Sequence, residues 1–160
     1  MQDAPKVKDD LYKIRHSLAH VMAQAVLEMR PGSKLGFGPP IDNGFYYDFI
    51  LSEPLNDTDF KELEKRMRKI INQDQEFTEE NLPYDEAMAR LEEMGEPYKT
   101  EYAQELFDTK GIETLRFYRN GPFLDMCEGP HVPSTKAIPG DGFKIRSIAG
   151  AYWRGDHRNV

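Results

Sequence analysis

Four side chains able to bind metal or move protons come in two pairs of equal spacing: His16 and His20 in HSLAH, and Cys127 and His131 in DMCEGPH. The first pair falls in a segment patterned as a helix, where residues four apart project from one face, about one turn from each other. The second pair includes the only cysteine in the sequence. Three imidazoles and one thiol make a set that can hold zinc or activate a water. Neither pair is specific by itself. A zincin helix needs Glu directly after its first His, and Ser17 stands there. A solitary cysteine is more often a small buried hydrophobe than a ligand, and the Gly-Pro of EGPHVP has an ordinary use in a turn. Their joint occurrence carries more, because a strand end facing a helix can bring both pairs to one cleft.

Asp125 belongs to the same segment. In a strand it shares a face with Cys127, since side chains alternate with period two. An inward carboxylate there would orient an imidazole or hold a substrate amine; an edge-strand carboxylate facing water is the bland alternative. Tyr46 and Tyr47 must point to opposite faces, one into the core and the other towards the cleft. Lys99, in GEPYKTEY, is one lysine among several.

The positioning elements follow from periodicity and punctuation. From about Asp9 to Met29 the sequence reads as a helix, capped by Asp9 or Asp10 and ended by Pro31-Gly32. Its main stripe is Leu11, Ile14, Leu18, Val21, Met22, Ala25 and Met29. The two histidines lie ~150–170° round the wheel from that stripe, beside Ala19, Ala23 and Leu27. Apolar residues on two sides imply a helix sandwiched between layers, with the histidines facing a covered cleft. Residues 34–51 read as two strands around a turn at Asp42-Asn43-Gly44. Helices are expected at about 58–73, at 84–94 with Gly95 as its stop, and at 101–108 closed by Gly111. The period then changes to two: Thr114 to Tyr118, a turn at Asn120-Gly121, and Phe123 to Met126 form a hairpin. Residues 143–153 add one or two further strands. The expectation is an α+β fold, a mostly antiparallel sheet packed with helices, with the long N-terminal helix carrying HxxxH across a central cleft.

A chain of 160 residues fits one compact domain. A hydrophobic fraction of 39% against 31% charged residues implies a lean core and an extensive solvated surface. The net charge of −7 argues against a self-sufficient nucleic-acid binder, because phosphate affinity rests on Lys and Arg. Arg116, Arg119, Lys144, Arg146 and Arg154 offer a local patch for a nucleic-acid end, or are simply scattered surface charge. A single cysteine excludes an internal disulfide and fits a reducing cytoplasm. With no apolar run near ~20 residues and no signal-peptide pattern, a soluble cytoplasmic protein is expected.

The segments RHSLAHVMAQAV, GPPIDNGFYYDF, DMCEGPHVPST and AGAYWRGD, in this order, resemble the editing domain of bacterial-type threonyl-tRNA synthetase, of a family shared with alanyl-tRNA synthetase and with freestanding alanyl editing proteins. The likeness runs from about Asp10 to Asp156. It implies a flexible segment over 1–9, a single tRNA-editing domain over 10–156, and at 157–160 the start of a linker to an absent catalytic core. The ATP-dependent ligase site would belong to the parent enzyme. The chain then reads as an excised domain, with a natural freestanding protein as the alternative. The implied reaction is attack of water on the ester of serine mischarged onto threonine tRNA, at its 3′ acceptor end. One methylene-scale difference is worth only ~1–3 kcal/mol, so a second, hydrolytic sieve is needed to remove serine.

The resemblance also implies roles. His16 and His20 match the family's HxxxH, Cys127 and His131 its CxxxH, Asp125 its acidic residue and Lys99 the lysine of GxxYK. His16 and Lys99 would position and activate the water, and Asp125 would read the serine ammonium or hydroxyl. Cys127, His20 and His131 would shape the pocket, with Tyr47 and Arg154 contacting substrate. In the alanyl branch the equivalent quartet holds zinc, whereas the threonyl branch is thought to need no obligatory metal. The expectation is metal-free catalysis, with zinc able to occupy His16, His20, Cys127 and His131. Partners would be threonine tRNA carrying serine and the remaining synthetase domains, with no membrane and no DNA. Two other readings stand beside this one: a freestanding alanyl-type deacylase, against which GFYYDF and AYWRGD argue, and a non-catalytic metal-binding or tRNA-docking module.

Overall fold

A computed structural model of the chain describes residues 10–38, 40, 41, 44–140 and 142–145. Among these residues the fold is α+β, with four α-helices and short antiparallel sheets. Helix α1 spans Asp10–Met29 and buries eleven consecutive residues, from His16 to Val26. A continuous run of burial needs neighbours on every side, as the two apolar faces of the sequence required. Leu11 departs from the expected stripe: it is exposed, lying in the first turn before the neighbouring elements cover the helix. No helix among the described residues is long and apolar enough to cross a membrane.

Four two-residue strands follow α1: β1 Lys34–Leu35, β2 Pro40–Ile41, β3 Gly44–Phe45 and β4 Phe49–Ile50. They nest, β2 pairing with β3 and β1 with β4, so the two expected strands are each interrupted. The tip at Asp42-Asn43 lies outside the described residues. A capping box at Asn56 opens a 3-10 turn over Asp57–Asp59, which leads into α2, Phe60–Asn72. Leu63, Met67, Ile70 and Ile71 are the buried face of α2, and they pack with α1 and Leu35 in one hydrophobic cluster.

Strand β5, Phe77–Pro83, pairs antiparallel with β6, Thr114–Asn120, which pairs with β7, Phe123–Met126. The β6–β7 hairpin forms where expected, but its turn is Gly121-Pro122 rather than Asn120-Gly121, because Asn120 still pairs with Phe123. Strand β5 carries no alternating pattern and is not expected from the sequence. Between β5 and β6 lie α3, Tyr84–Met94, and α4, Pro97–Lys110. Helix α4 begins four residues earlier than the expected 101, because Pro97 fills the first helical position, where no amide hydrogen is needed. Gly95, at φ +71°, ends α3 in a left-handed conformation that costs glycine little.

The sheet is covered on both faces. Leu115, Phe117, Leu124 and Met126 point towards α3 and α4, packing with Ala87, Leu91 and Ala103. Asn120, Phe123 and Asp125 point the other way, towards α1. Phe117 is wholly buried in the first layer, worth about 1.5–3 kcal/mol against exposure. Of the strands expected in 143–153, residues 143–145 carry no strand and the remainder lies outside the described residues.

Candidate active site

The two-layer cover of the sheet sets the geometry of the site. Side chains at i and i+4 of α1 reach the face of β7 that carries Asp125, and the chain leaving β7 turns back along α1. His16, His20, Cys127 and His131 therefore meet, each offering a ligand atom, with those atoms all within 4.8 Å of one another. Ring centroids of His16 and His131 are 4.4 Å apart and those of His20 and His131 4.2 Å. The sequence pairs converge as their joint occurrence implied.

Hydrogen bonds orient the cluster. Nδ1 of His16 lies 3.2 Å from the carbonyl oxygen of Pro130, and its Nε2 lies 3.2 Å from Sγ of Cys127. A carbonyl only accepts, so the proton sits on Nδ1 and Nε2 is the basic nitrogen of His16. The Gly129 amide donates to the same sulfur at 3.3 Å. Burial pushes the Cys127 thiol up to about 12, which keeps it protonated. Burial, and then the neighbouring imidazoles, lower the pKa of His131. Burial, then the proximity of His16 and of Lys99, holds His20 well below its usual range. Both rings are thus neutral.

Lys99 is buried on the first turns of α4, and its Nζ stands 3.3 Å from Oδ1 of Asp125 and 3.2 Å from the Met126 carbonyl oxygen. The ammonium also lies 4.6 Å from the centre of the Phe37 ring. Asp125 Oδ2 accepts from the Tyr47 hydroxyl at 2.5 Å and is 3.5 Å from Nε2 of His20. Burial raises the Asp125 carboxyl pKa against the opposing pull of Lys99 and Tyr47. Of the tyrosine pair, Tyr47 is buried and faces the site while Tyr46 is exposed. Gly38 permits this placement, because a Cβ there would run into the Tyr47 ring.

His16, His20, Tyr47, Lys99, Asp125 and Cys127 line one cavity of about 890 Å³ that extends past Tyr102 and Arg116 to the surface at Lys110 and Ile112. His131 is not in its wall and packs behind, stacked on Phe77 with ring centroids 4.7 Å apart. Arg116 reaches the rim, where its guanidinium donates to the Glu128 carbonyl and faces Glu79. Arg119 and Lys144 are exposed, and Arg146 and Arg154 lie outside the described residues.

Sequence reasoning passed over three groups. Glu96, at the start of α4, accepts from the Leu35 amide at 2.8 Å, and burial raises its carboxyl to about 7. The Asn120 amide behind His20 donates to Gln24 and to Gln75, at 3.0 Å each. Ser17 bridges α1 to His131 and Val132. Ser17 and Glu96 stand inside HSLAH and GEPYK, but at positions those motifs leave open, and ordinary polar residues there carry no signal until their burial is known.

The donor set suits zinc chemically: three imidazoles and a thiol, closely spaced, can provide four ligands once the thiol loses its proton. Residues 115–159 match the family model for the threonyl and alanyl tRNA synthetase second additional domain. The chain is 49% identical to a threonine–tRNA ligase of Maricaulis maris over 155 residues, covering 96% of this chain and 23% of that protein. Against the threonine–tRNA ligase of Caulobacter vibrioides the identity is 44% over 159 residues, 99% of this chain and 23% of that protein. A Rhodospirillum rubrum threonine–tRNA ligase is 47% identical over 146 residues, 91% of this chain and 22% of its own length. The chain thus spans less than a quarter of the curated relatives it matches.

Proposed function

We propose that the chain, whose residues 115–159 match the second additional domain of threonyl and alanyl tRNA synthetases, is an aminoacyl-tRNA deacylase of that family, hydrolysing the ester of serine mischarged onto threonine tRNA. The observation that carries this reading is the convergence of a basic imidazole, a buried carboxylate and a buried ammonium on one open-ended cavity.

Each group suits one requirement of ester hydrolysis. His16 carries its proton on the nitrogen bound to Pro130, so Nε2, on which the Cys127 thiol rests, can accept a proton from an attacking water that displaces the thiol. Lys99, buried and paired, supplies fixed positive charge near the carbonyl, where negative charge develops. Asp125, fixed by Tyr47 and Lys99, offers a carboxylate to the amino group or hydroxyl of a seryl moiety. Cys127 and His20 wall the pocket, with His131 packed behind them, and together they limit its size, which is what a sieve admitting serine and refusing threonine requires. His16, His20, Cys127 and His131 would hold a zinc ion, and with all four engaged that centre would be of the closed, structural kind. The remaining synthetase domains would supply most of the grip on tRNA, since the chain itself is acidic.

The test is deacylation of Ser-tRNA(Thr) beside Thr-tRNA(Thr), with and without a chelator, by the wild-type chain and a His16→Ala/Lys99→Ala variant. Selective loss of the seryl ester that survives chelation and disappears in the variant supports metal-free editing. The four-residue cluster favours a second reading, a metal-binding module, which stoichiometric zinc without deacylation would support.

A further inference from the structure

Ser17 is completely buried on α1, one residue beyond His16. Its hydroxyl oxygen accepts from the Val132 amide at 3.0 Å and lies 3.0 Å from Nδ1 of His131. Across the ring, Nε2 of His131 is 3.5 Å from Sγ of Cys127, which is 3.2 Å from Nε2 of His16. The Pro130 carbonyl closes the series at Nδ1 of His16.

The far end fixes its direction. The Pro130 oxygen has no proton to give, so Nδ1 of His16 donates and Nε2 accepts. The thiol hydrogen of Cys127 is the donor to that Nε2. With this hydrogen committed, the sulfur can only accept from His131, so the His131 proton is on Nε2. Its Nδ1 is then a bare lone pair, and the Ser17 hydroxyl is the donor in reach. Were the His131 proton on Nδ1 instead, two imidazole nitrogens would compete for one thiol hydrogen and one would be left unpaired.

We propose that Ser17 is a positioning residue: its hydroxyl donates to Nδ1 of His131, holds that ring as the Nε2–H tautomer, and so keeps the Cys127 thiol aimed at the basic nitrogen of His16. The inference deepens the hydrolase reading and rests on it only for the effect on activity. It also gives Ser17 a say in metal binding. For His131 to ligate through Nε2 its proton must move to Nδ1, and the Ser17 hydroxyl must turn from donor to acceptor.

The test is a two-bond proton–nitrogen correlation spectrum of the histidine rings in the full, metal-free chain near neutral pH. The expected wild-type pattern is Nε2–H for His131 and Nδ1–H for His16. In Ser17→Ala the Nδ1–H form of His131 rises to at least a third of the population while His16 is unchanged, and seryl-ester hydrolysis falls about tenfold. A wild-type His131 with its proton on Nδ1 overturns the proposal, and this spectrum needs no variant to fold. An unaltered His131 tautomer in folded Ser17→Ala overturns it equally. If the wild type leaves Ser-tRNA(Thr) intact, the hydrolase reading fails while the tautomer assignment still stands or falls on the spectrum.

Discussion

The Tyr47 hydroxyl donates to Oδ2 of Asp125 at 2.5 Å, tying the β3–β4 connection to the centre of β7. Both residues are buried, and the same carboxylate faces Lys99 through its other oxygen. Tyr47→Phe removes the donor and keeps the ring. Unfolding titrations should show a loss of about 1.5–3 kcal/mol, the usual worth of a hydrogen bond to a charged group. If Asp125 reads the seryl group, KM for the mischarged tRNA should rise more than kcat falls.

Lys99 and Asp125 form a buried pair, so truncating one strands the other. Lys99→Met should destabilise the fold by about 3–5 kcal/mol. Adding Asp125→Asn should recover a substantial part of that loss, because the stranded carboxylate is then gone. Denaturation midpoints of the two variants decide this. A double variant no more stable than Lys99→Met would show that the pair is not the source of the cost.

Glu96 offers a pH test with a definite sign. Its carboxyl stands near 7 in the fold and at the ordinary 4.5 when unfolded, so between those values the folded state holds the extra proton. Stability from this group is present below about 4.5 and is lost as pH rises towards 7. Glu96→Gln keeps an oxygen for the Leu35 amide and removes the charge. Its melting temperature should exceed that of the wild type by an amount that grows from pH 4.5 to 7 and then levels. Taking the difference cancels the opposite trend of His20 and His131, whose lowered pKa values mean that the unfolded chain alone gains protons below about 6.5.

Cys127 should be inert. A thiol near 12 in place of 9 has about a thousandfold less thiolate at pH 8. Disulfide-exchange reagents should therefore label the native chain slowly and the urea-unfolded chain at the ordinary rate. Equal rates would mean that the sulfur is ionised or openly accessible.

What the sequence reveals and conceals divides along physical lines. Helices α2 and α3 and the β6–β7 hairpin are legible because burial of one face imposes a period and glycine marks an end, as at Gly95, and α1 is legible as a long run apolar on two sides that stops at Pro31-Gly32. Strand β5 is not, because Phe77–Pro83 is an edge strand with mostly exposed side chains, held by its ladder to β6. His16, His20, Cys127 and His131 could be singled out by type and spacing. Lys99 looked like any surface lysine, and only the fold shows the carboxylate that justifies burying it. Ser17, Glu96 and Asn120 are conspicuous solely through partners far along the chain.

The unbroken burial of α1 from His16 to Val26 ties the fate of the site to that of the fold. A helix with a wet face can fray or tilt while the rest of a domain persists. This one has no such face over those eleven residues, so its histidines cannot be uncovered by a small local opening. Amide hydrogens around His20 should exchange only at the rate of global unfolding. A substrate must then enter a cavity already open to it, since separating α1 from the sheet would dismantle the protein.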